Sequence, residues 1–149
     1  MGLNICIVTS EGGHLTEALF LESVFGAYDW FLISYRCTRI AAVPYRKYMV
    51  PIFPTNPLAI LPALWTIIRA FLKERPKVVI STGSEIAIPV FLVAKLFGAK
   101  TVFIETITRF ENATWTGRLL YPLSDKFYVQ NPESLKAYGS RAEFHGTVI

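Results

Sequence analysis

Two glycine turns set polar side chains beside short apolar runs, and chemistry is most plausible there. Ser10-Glu11-Gly12-Gly13-His14 follows one run, and Ser81-Thr82-Gly83-Ser84-Glu85 follows another. Gly12 and Gly13 allow the main chain to approach a ligand closely, and a helix starting just after them offers unpaired N–H groups to an anion. His14 lies inside that turn. It is a candidate general base, since an imidazole needs little tuning near neutral pH, and it could equally shape the loop by hydrogen bonding at the helix start. Glu17, one turn later, either orients His14 or interacts favourably with the helix N-terminus. Thr82, Gly83 and Ser84 read as the second half of a phosphate cradle, with Ser84 also a candidate N-cap.

A third polar group, Glu105-Thr106-Ile107-Thr108-Arg109, follows the run Lys100 to Glu105. Glu105 is a second candidate base or a hydroxyl-binding group. Arg109 could hold a phosphate or make a surface ion pair, and Gln130, ending the next run, could line the same crevice. The dinucleotide pattern GxGxxG is absent, and no acidic residue ends the second strand. Cys6 and Cys37 have neither a CxxC neighbour nor a histidine at ligand spacing, so no zinc site is predicted and no cofactor is implied. Two isolated cysteines suit a reducing compartment.

These groups need elements to hold them. Runs at 4–9, 29–34, 77–81, 100–105 and 126–130, with a last one near Glu143-Phe144, read as strands. Helical stretches fall between them at about 14–25, after the Thr82-Gly83-Ser84 turn to about Phe97, at 114–123 and at 132–138. Gly98 stops the third-strand helix as a C′ glycine does. Apolar strands alternating with helices predict a Rossmann-like α/β fold, a parallel sheet with helices on both faces and ligands beyond the strand carboxyl ends. The 149 residues suit one domain.

No charged residue lies between Lys47 and Arg69, but Pro51, Pro54, Pro57 and Pro62 fall in that span and exclude a regular membrane crossing. A proline-rich loop feeding an amphipathic helix over 57–74 is expected instead. Leu61, Leu64, Trp65 and Ile68 recur at helical spacing and are expected to meet lipid, although part of any such face must pack on the sheet. Basic clusters flank the segment, Arg36, Arg39, Arg46 and Lys47 on one side and Lys73, Arg75 and Lys77 on the other. That placement suits anionic headgroups better than nucleic acid, which calls for a longer basic run interleaved with aromatics. The first apolar run is too short for a signal peptide, which predicts a site facing the cytoplasm.

The motifs GGHLTEAL, STGSEIAIP, IETITR, TGRLLYPLSDKFYVQ and FHGTVI together resemble the PssD-type proteins of bacterial exopolysaccharide and capsule synthesis. That family includes the membrane-anchoring subunit of the eukaryotic enzyme that adds the second N-acetylglucosamine to dolichol-linked oligosaccharide. The glycine-histidine loop is also similar to that of MurG, a single-chain relative. The resemblance covers nearly the whole chain.

It implies the N-terminal, acceptor-side half of a split, inverting GT-B glycosyltransferase. A PssE-type subunit would carry the nucleotide-sugar half, and the acceptor would be a polyprenyl-pyrophosphate-linked saccharide. A GT-B fold needs two Rossmann domains and this chain has residues for one, so a partner is expected. An N-terminal spanning helix of the eukaryotic kind is missing, so attachment to the cytoplasmic membrane face, peripheral or monotopic, is expected from 57–74. Two rival readings stand beside this one. One is a recruitment subunit without catalytic residues, and the other is a self-sufficient small nucleotide-binding α/β enzyme.

Overall fold

Short stretches rich in valine, isoleucine and phenylalanine become the strands of one parallel sheet, the secondary structure that best buries such runs on both faces. The computed structural model describes residues 2–149. Its seven strands are β1 (Asn4–Val8), β2 (Asp29–Tyr35), β3 (Lys47–Val50), β4 (Val78–Ser81), β5 (Lys100–Ile104), β6 (Lys126–Val129) and β7 (Ala142–Phe144). They lie in the order β3-β2-β1-β4-β5-β6-β7, every pair parallel. The order reverses between β1 and β4. In such sheets ligands sit beyond the carboxyl ends at that reversal, and both glycine turns open there.

The helices are α1 (Gly13–Phe20), α2 (Glu22–Phe25), α3 (Thr38–Ala42), α4 (Ile60–Glu74), α5 (Ala87–Leu96) and α6 (Trp115–Leu120). One layer packs Leu15 and Ala18 of α1, Phe25 and Ile40 on Ile5, Ile7 and Leu32. The opposite layer packs Ala63, Ile67, Ala70 and Phe71 of α4 with Val90, Phe91 and Ala94 of α5 on the other side of β1, β2, β4 and β5. α4 ends at Arg75, which takes the left-handed conformation, φ 49°, where glycine is commoner.

Four local expectations change. The helix expected over 14–25 breaks at Leu21, whose N–H turns back to the Ala18 carbonyl, and the redirected chain buries Phe25. The stretch 36–50, ahead of the proline-rich loop, holds two elements that were not expected. Cys37 Sγ accepts the Ile40 N–H to cap α3, and Lys47–Val50 adds an edge strand. Ser84 does not cap α5 with its hydroxyl; its φ is 82°, and its carbonyl accepts the Ala87 N–H. α6 is shorter than expected, 115–120, with the Thr114 hydroxyl accepting the Gly117 N–H at 2.8 Å.

The first layer stops short of the sheet's width. Beyond α1 and α2, residues Ile80, Val102, Ile104 and Tyr128 floor an apolar cleft of about 660 Å³, walled by Phe20, Val24 and the stretch His145–Val148.

Candidate functional site

The glycine turn after β1 is built for close approach. Gly12 caps α1 with φ 88°, a conformation side chains rarely adopt, and Gly13 starts the helix with open space where a Cβ would stand. No side chain caps α1, so its first N–H groups are left without a side-chain partner at the turn after β1.

His14 is locked to the second turn. Its Nδ1 lies 3.0 Å from the Thr82 carbonyl, and the Thr82 hydroxyl donates to the His14 carbonyl at 2.7 Å. A carbonyl can only accept, so Nδ1 carries a proton, and in the neutral ring the lone pair sits on Nε2. Nε2 has no hydrogen-bond partner among the described residues, and the ring is half-buried. Gly83, at φ 121°, makes room for it: a Cβ there would lie 2.6 Å from His14 Cε1 and 2.7 Å from Nδ1. The Ser81 hydroxyl in turn accepts the Gly83 N–H at 3.1 Å, holding the turn. The arrangement offers an oriented acceptor nitrogen beside free helix N–H groups.

Glu105 is used differently. Its side chain is 1 % exposed. One oxygen accepts the Thr106 N–H at 3.1 Å, and the other accepts the Thr114 hydroxyl at 2.8 Å, the Thr114 N–H at 3.3 Å and the Tyr138 hydroxyl. Burial, then the bond to Glu105 and its charge, push the Tyr138 pKa well up. This carboxylate pins the loop from β5 to α6, and both its oxygens are occupied by donors. Gly117 leaves it room, since a Cβ there would stand 2.5 Å from Glu105 Oε2.

Glu17 neither orients His14 nor serves the helix end. It is buried, and its Oε1 accepts the Thr106 hydroxyl at 2.9 Å and the Ile107 N–H at 3.2 Å, tying α1 to the same loop. Gln130 is also buried, donating to the Glu105 carbonyl at 3.1 Å and accepting the Val148 N–H at 2.7 Å. Arg109 is exposed, and its carbonyl accepts the Ser134 hydroxyl at 2.9 Å. Thus Gly12, Gly13, His14, Thr82, Gly83 and Ser84 come together at the β1/β4 reversal. Glu105 and Gln130 form the wall behind the next loop. The Thr82 carbonyl, which sets the His14 tautomer, and the Thr114 and Tyr138 donors around Glu105 were missed. Only the STG spacing after a strand hinted at the first.

The helical face of 57–74 divides. Residues Pro57–Ala59 form a 3₁₀ turn before α4. Leu58, Leu61, Trp65 and Leu72 are exposed, at 79, 69, 63 and 59 %. Leu64 and Ile68, expected at lipid, are partly buried against the core, because a helix lying on a sheet must spend one face there. Leu92, Leu96 and Trp115 extend the exposed set onto α5 and α6. Of the basic residues, Arg46 pairs with Asp29 at 2.9 Å and Glu74 at 3.4 Å, and Lys47 donates to the Val43 carbonyl, so neither is a free headgroup ligand. Among the described residues no helix is long and apolar enough to cross a membrane.

Comparison with known proteins adds a second kind of observation. The family described as oligosaccharide biosynthesis protein Alg14 like matches residues 35–148. The UDP-N-acetylglucosamine transferase subunit ALG14 of Candida albicans is 38% identical over 86 residues, 54% of this chain and 39% of that protein. The human protein of the same name is 25% identical over 116 residues, 74% of this chain and 53% of that protein. The chain therefore spans about half or less of the curated relatives it matches. Among solved structures, Acinetobacter baumannii MurG matches 99% of this chain and 46% of its own, with a TM-score of 0.80 at 16% identity. The UDP-N-acetylglucosamine 2-epimerase of Rickettsia bellii matches the same shares with a TM-score of 0.77 at 11% identity. Those two likenesses speak for fold: the Rossmann-like parallel sheet expected from the sequence is present, and it is the sheet of GT-B N-terminal domains.

Proposed function

The chain belongs to the Alg14-like oligosaccharide biosynthesis family, and on that premise we propose that it is the acceptor-side, membrane-associating subunit of a two-subunit glycosyltransferase. The reaction moves a sugar from a nucleotide-sugar to a polyprenyl-pyrophosphate-linked saccharide at the cytoplasmic face of a membrane. The names of the Candida and human relatives, subunits of a UDP-N-acetylglucosamine transferase, support a UDP-sugar donor and a separate subunit to bind it. That partner is of the PssE type, carrying the nucleotide-sugar half. The uncovered strip of sheet over Ile80, Val102 and Ile104 also favours a partner, since parallel sheets are ordinarily covered on both faces. The chain acts as one acceptor-side domain, with 57–74 resting on the membrane.

The observation that carries the catalytic reading is the His14–Thr82 pair. With its proton held on Nδ1, the ring presents Nε2 to an acceptor hydroxyl. Nε2 takes that proton as the hydroxyl oxygen attacks the anomeric carbon, the bond from that carbon to the nucleotide diphosphate breaks, and configuration inverts. The free N–H groups of α1 and the Thr82–Ser84 turn face a phosphate group of the acceptor. Glu105, Glu17 and Gln130 hold the loop that closes the crevice.

The test is reconstitution with the partner subunit. The pair should transfer sugar and this chain alone should not. His14→Ala should lower kcat by roughly 10²–10⁴ while the pair still assembles. Full activity of that variant would leave a recruitment role, and turnover by the chain alone would mean a self-sufficient enzyme.

A further inference from the structure

A second apolar cavity, of about 410 Å³, lies between α4 and α5 and is walled by Phe53, Leu64, Ile88, Pro89, Leu92 and Trp115. Its volume falls among small-ligand sites, about 300–1,000 Å³. Its accessible wall is apolar throughout, although Glu85 reaches it. The Glu85 carboxylate is within 3.3 Å of the Ser84 hydroxyl, so only its stem faces the groove.

Two features bear on what fills it. The first is charge. Through α4, α5 and α6 the cations are Arg69, Lys73, Lys95 and Arg118, and the one acidic residue, Glu74 at the end of α4, is engaged by Tyr48 and Arg46. Lys95 pairs with Asp125, while Arg69, Lys73 and Arg118 have no carboxylate partner among the described residues. Exposed Trp65 is followed one turn on by Arg69, and exposed Trp115 by Arg118. An indole with a cation beside it is the combination that settles at headgroup level, the cation meeting phosphate. Indoles beside unpaired cations suit a membrane surface better than a protein partner.

The second feature is position. Glu85, which lines the groove, is two residues from Gly83, against which the His14 ring is packed. One lining residue of the groove is thus a near neighbour in sequence of the turn that seats His14. Building on the acceptor role set out above, we propose that this groove holds the first isoprene units of the acceptor's polyprenyl chain, with the diphosphate at the His14 crevice and the rest of the chain in the bilayer.

Photolabelling tests this without sugar transfer. The full chain in phosphatidylcholine nanodiscs is irradiated with farnesyl diphosphate bearing a terminal diazirine, and separately with phosphatidylglycerol bearing one on an acyl chain. The prenyl probe should label the segment around Ile88 to Leu92 and Trp115, and unmodified farnesyl diphosphate should compete. Leu92→Trp fills the groove from a half-exposed position. It should lower labelling about tenfold, the effect of displacing a few buried methylenes, while the protein still floats on anionic vesicles. Ile88→Phe, checked by thermal melting, should act likewise. Undiminished prenyl labelling in both variants overturns the proposal. So does equal labelling of the groove by the phospholipid probe, which would make it ordinary membrane contact. Prenyl labelling in a reconstituted pair that transfers no sugar would count against the transferase reading and leave the groove standing; transfer without prenyl labelling would do the reverse.

Discussion

The His14 imidazole and the Thr82 main chain hold each other twice, Nδ1–H to the Thr82 carbonyl at 3.0 Å and the Thr82 hydroxyl to the His14 carbonyl at 2.7 Å. Two loops from strands β1 and β4 are thereby fixed at the point where the sheet order reverses. The ring also rests on Gly83, which cannot carry a side chain without moving it. Gly83→Ala should therefore act on activity and stability together. The strained φ costs roughly 1–3 kcal/mol, and the ring must leave its carbonyl. Reconstituted activity should fall toward that of His14→Ala, while His14→Ala itself keeps a near-parental Tm. A Gly83→Ala pair with parental kcat would show that the ring position is immaterial.

Glu105 should behave as a fastener. Its two oxygens accept hydrogen bonds from Thr106, Thr114 and Tyr138 in a buried setting. Glu105→Ala strands several donors, each costing roughly 1–3 kcal/mol, so a loss of about 3 kcal/mol is expected by urea unfolding. Gly117→Ala presses on the same cluster and should destabilise in the same direction. If Glu105→Ala melts like the parent but loses kcat, the carboxylate acts in the reaction after all.

Asp125 gives a pH signature. Burial works against its ionisation, but the Lys95 ammonium at 2.7 Å and the Thr101 N–H at 2.8 Å outweigh it and hold the pKa down at about 2. A carboxyl lowered on folding stabilises above its unfolded pKa, near 4, and that stabilisation fades as the pH falls toward 2. With both partners about a third exposed, screening reduces the effect to about 1–2 kcal/mol at neutral pH. Asp125→Asn should lose that amount at pH 7 and nearly nothing at pH 2, by chemical denaturation at each pH. An equal loss at both would mean that the charge is irrelevant.

The sheet and the His14 turn were legible because their signals are local. Unbroken β-branched runs such as Asn4–Val8 and Val78–Ser81 have few alternatives to a buried parallel strand. β3 escaped notice because Lys47, Tyr48 and Met49 are only half-buried on an edge and show no apolar run. α3 escaped because its cap is a cysteine sulfur. The roles of Glu17 and Gln130 depend on partners 89 and 25 residues away in sequence, and no spacing rule reaches that far. The split of the α4 face had a similar cause. The helix is apolar nearly all round, so periodicity could not say which leucines turn inward.

That split gives the last prediction. Leu61 and Trp65 are exposed, whereas Leu64 and Ile68 pack on the core. If this face rests on a membrane, each exposed apolar side chain contributes up to roughly 1.5–3 kcal/mol when fully withdrawn from water. Arg69, Lys73 and Arg118 add about 1 kcal/mol each where they reach anionic headgroups. The apolar part is the larger, so high salt should weaken vesicle binding without ending it. Leu61→Ser with Trp65→Gln should release a protein that melts like the parent. Leu64→Ser should instead lower Tm, because it opens a packed contact, while the folded fraction still floats. Liposome flotation beside thermal melting separates the two. If the Leu61/Trp65 variant floats as well as the parent, the exposed stripe is not the anchor, and attachment lies with other residues.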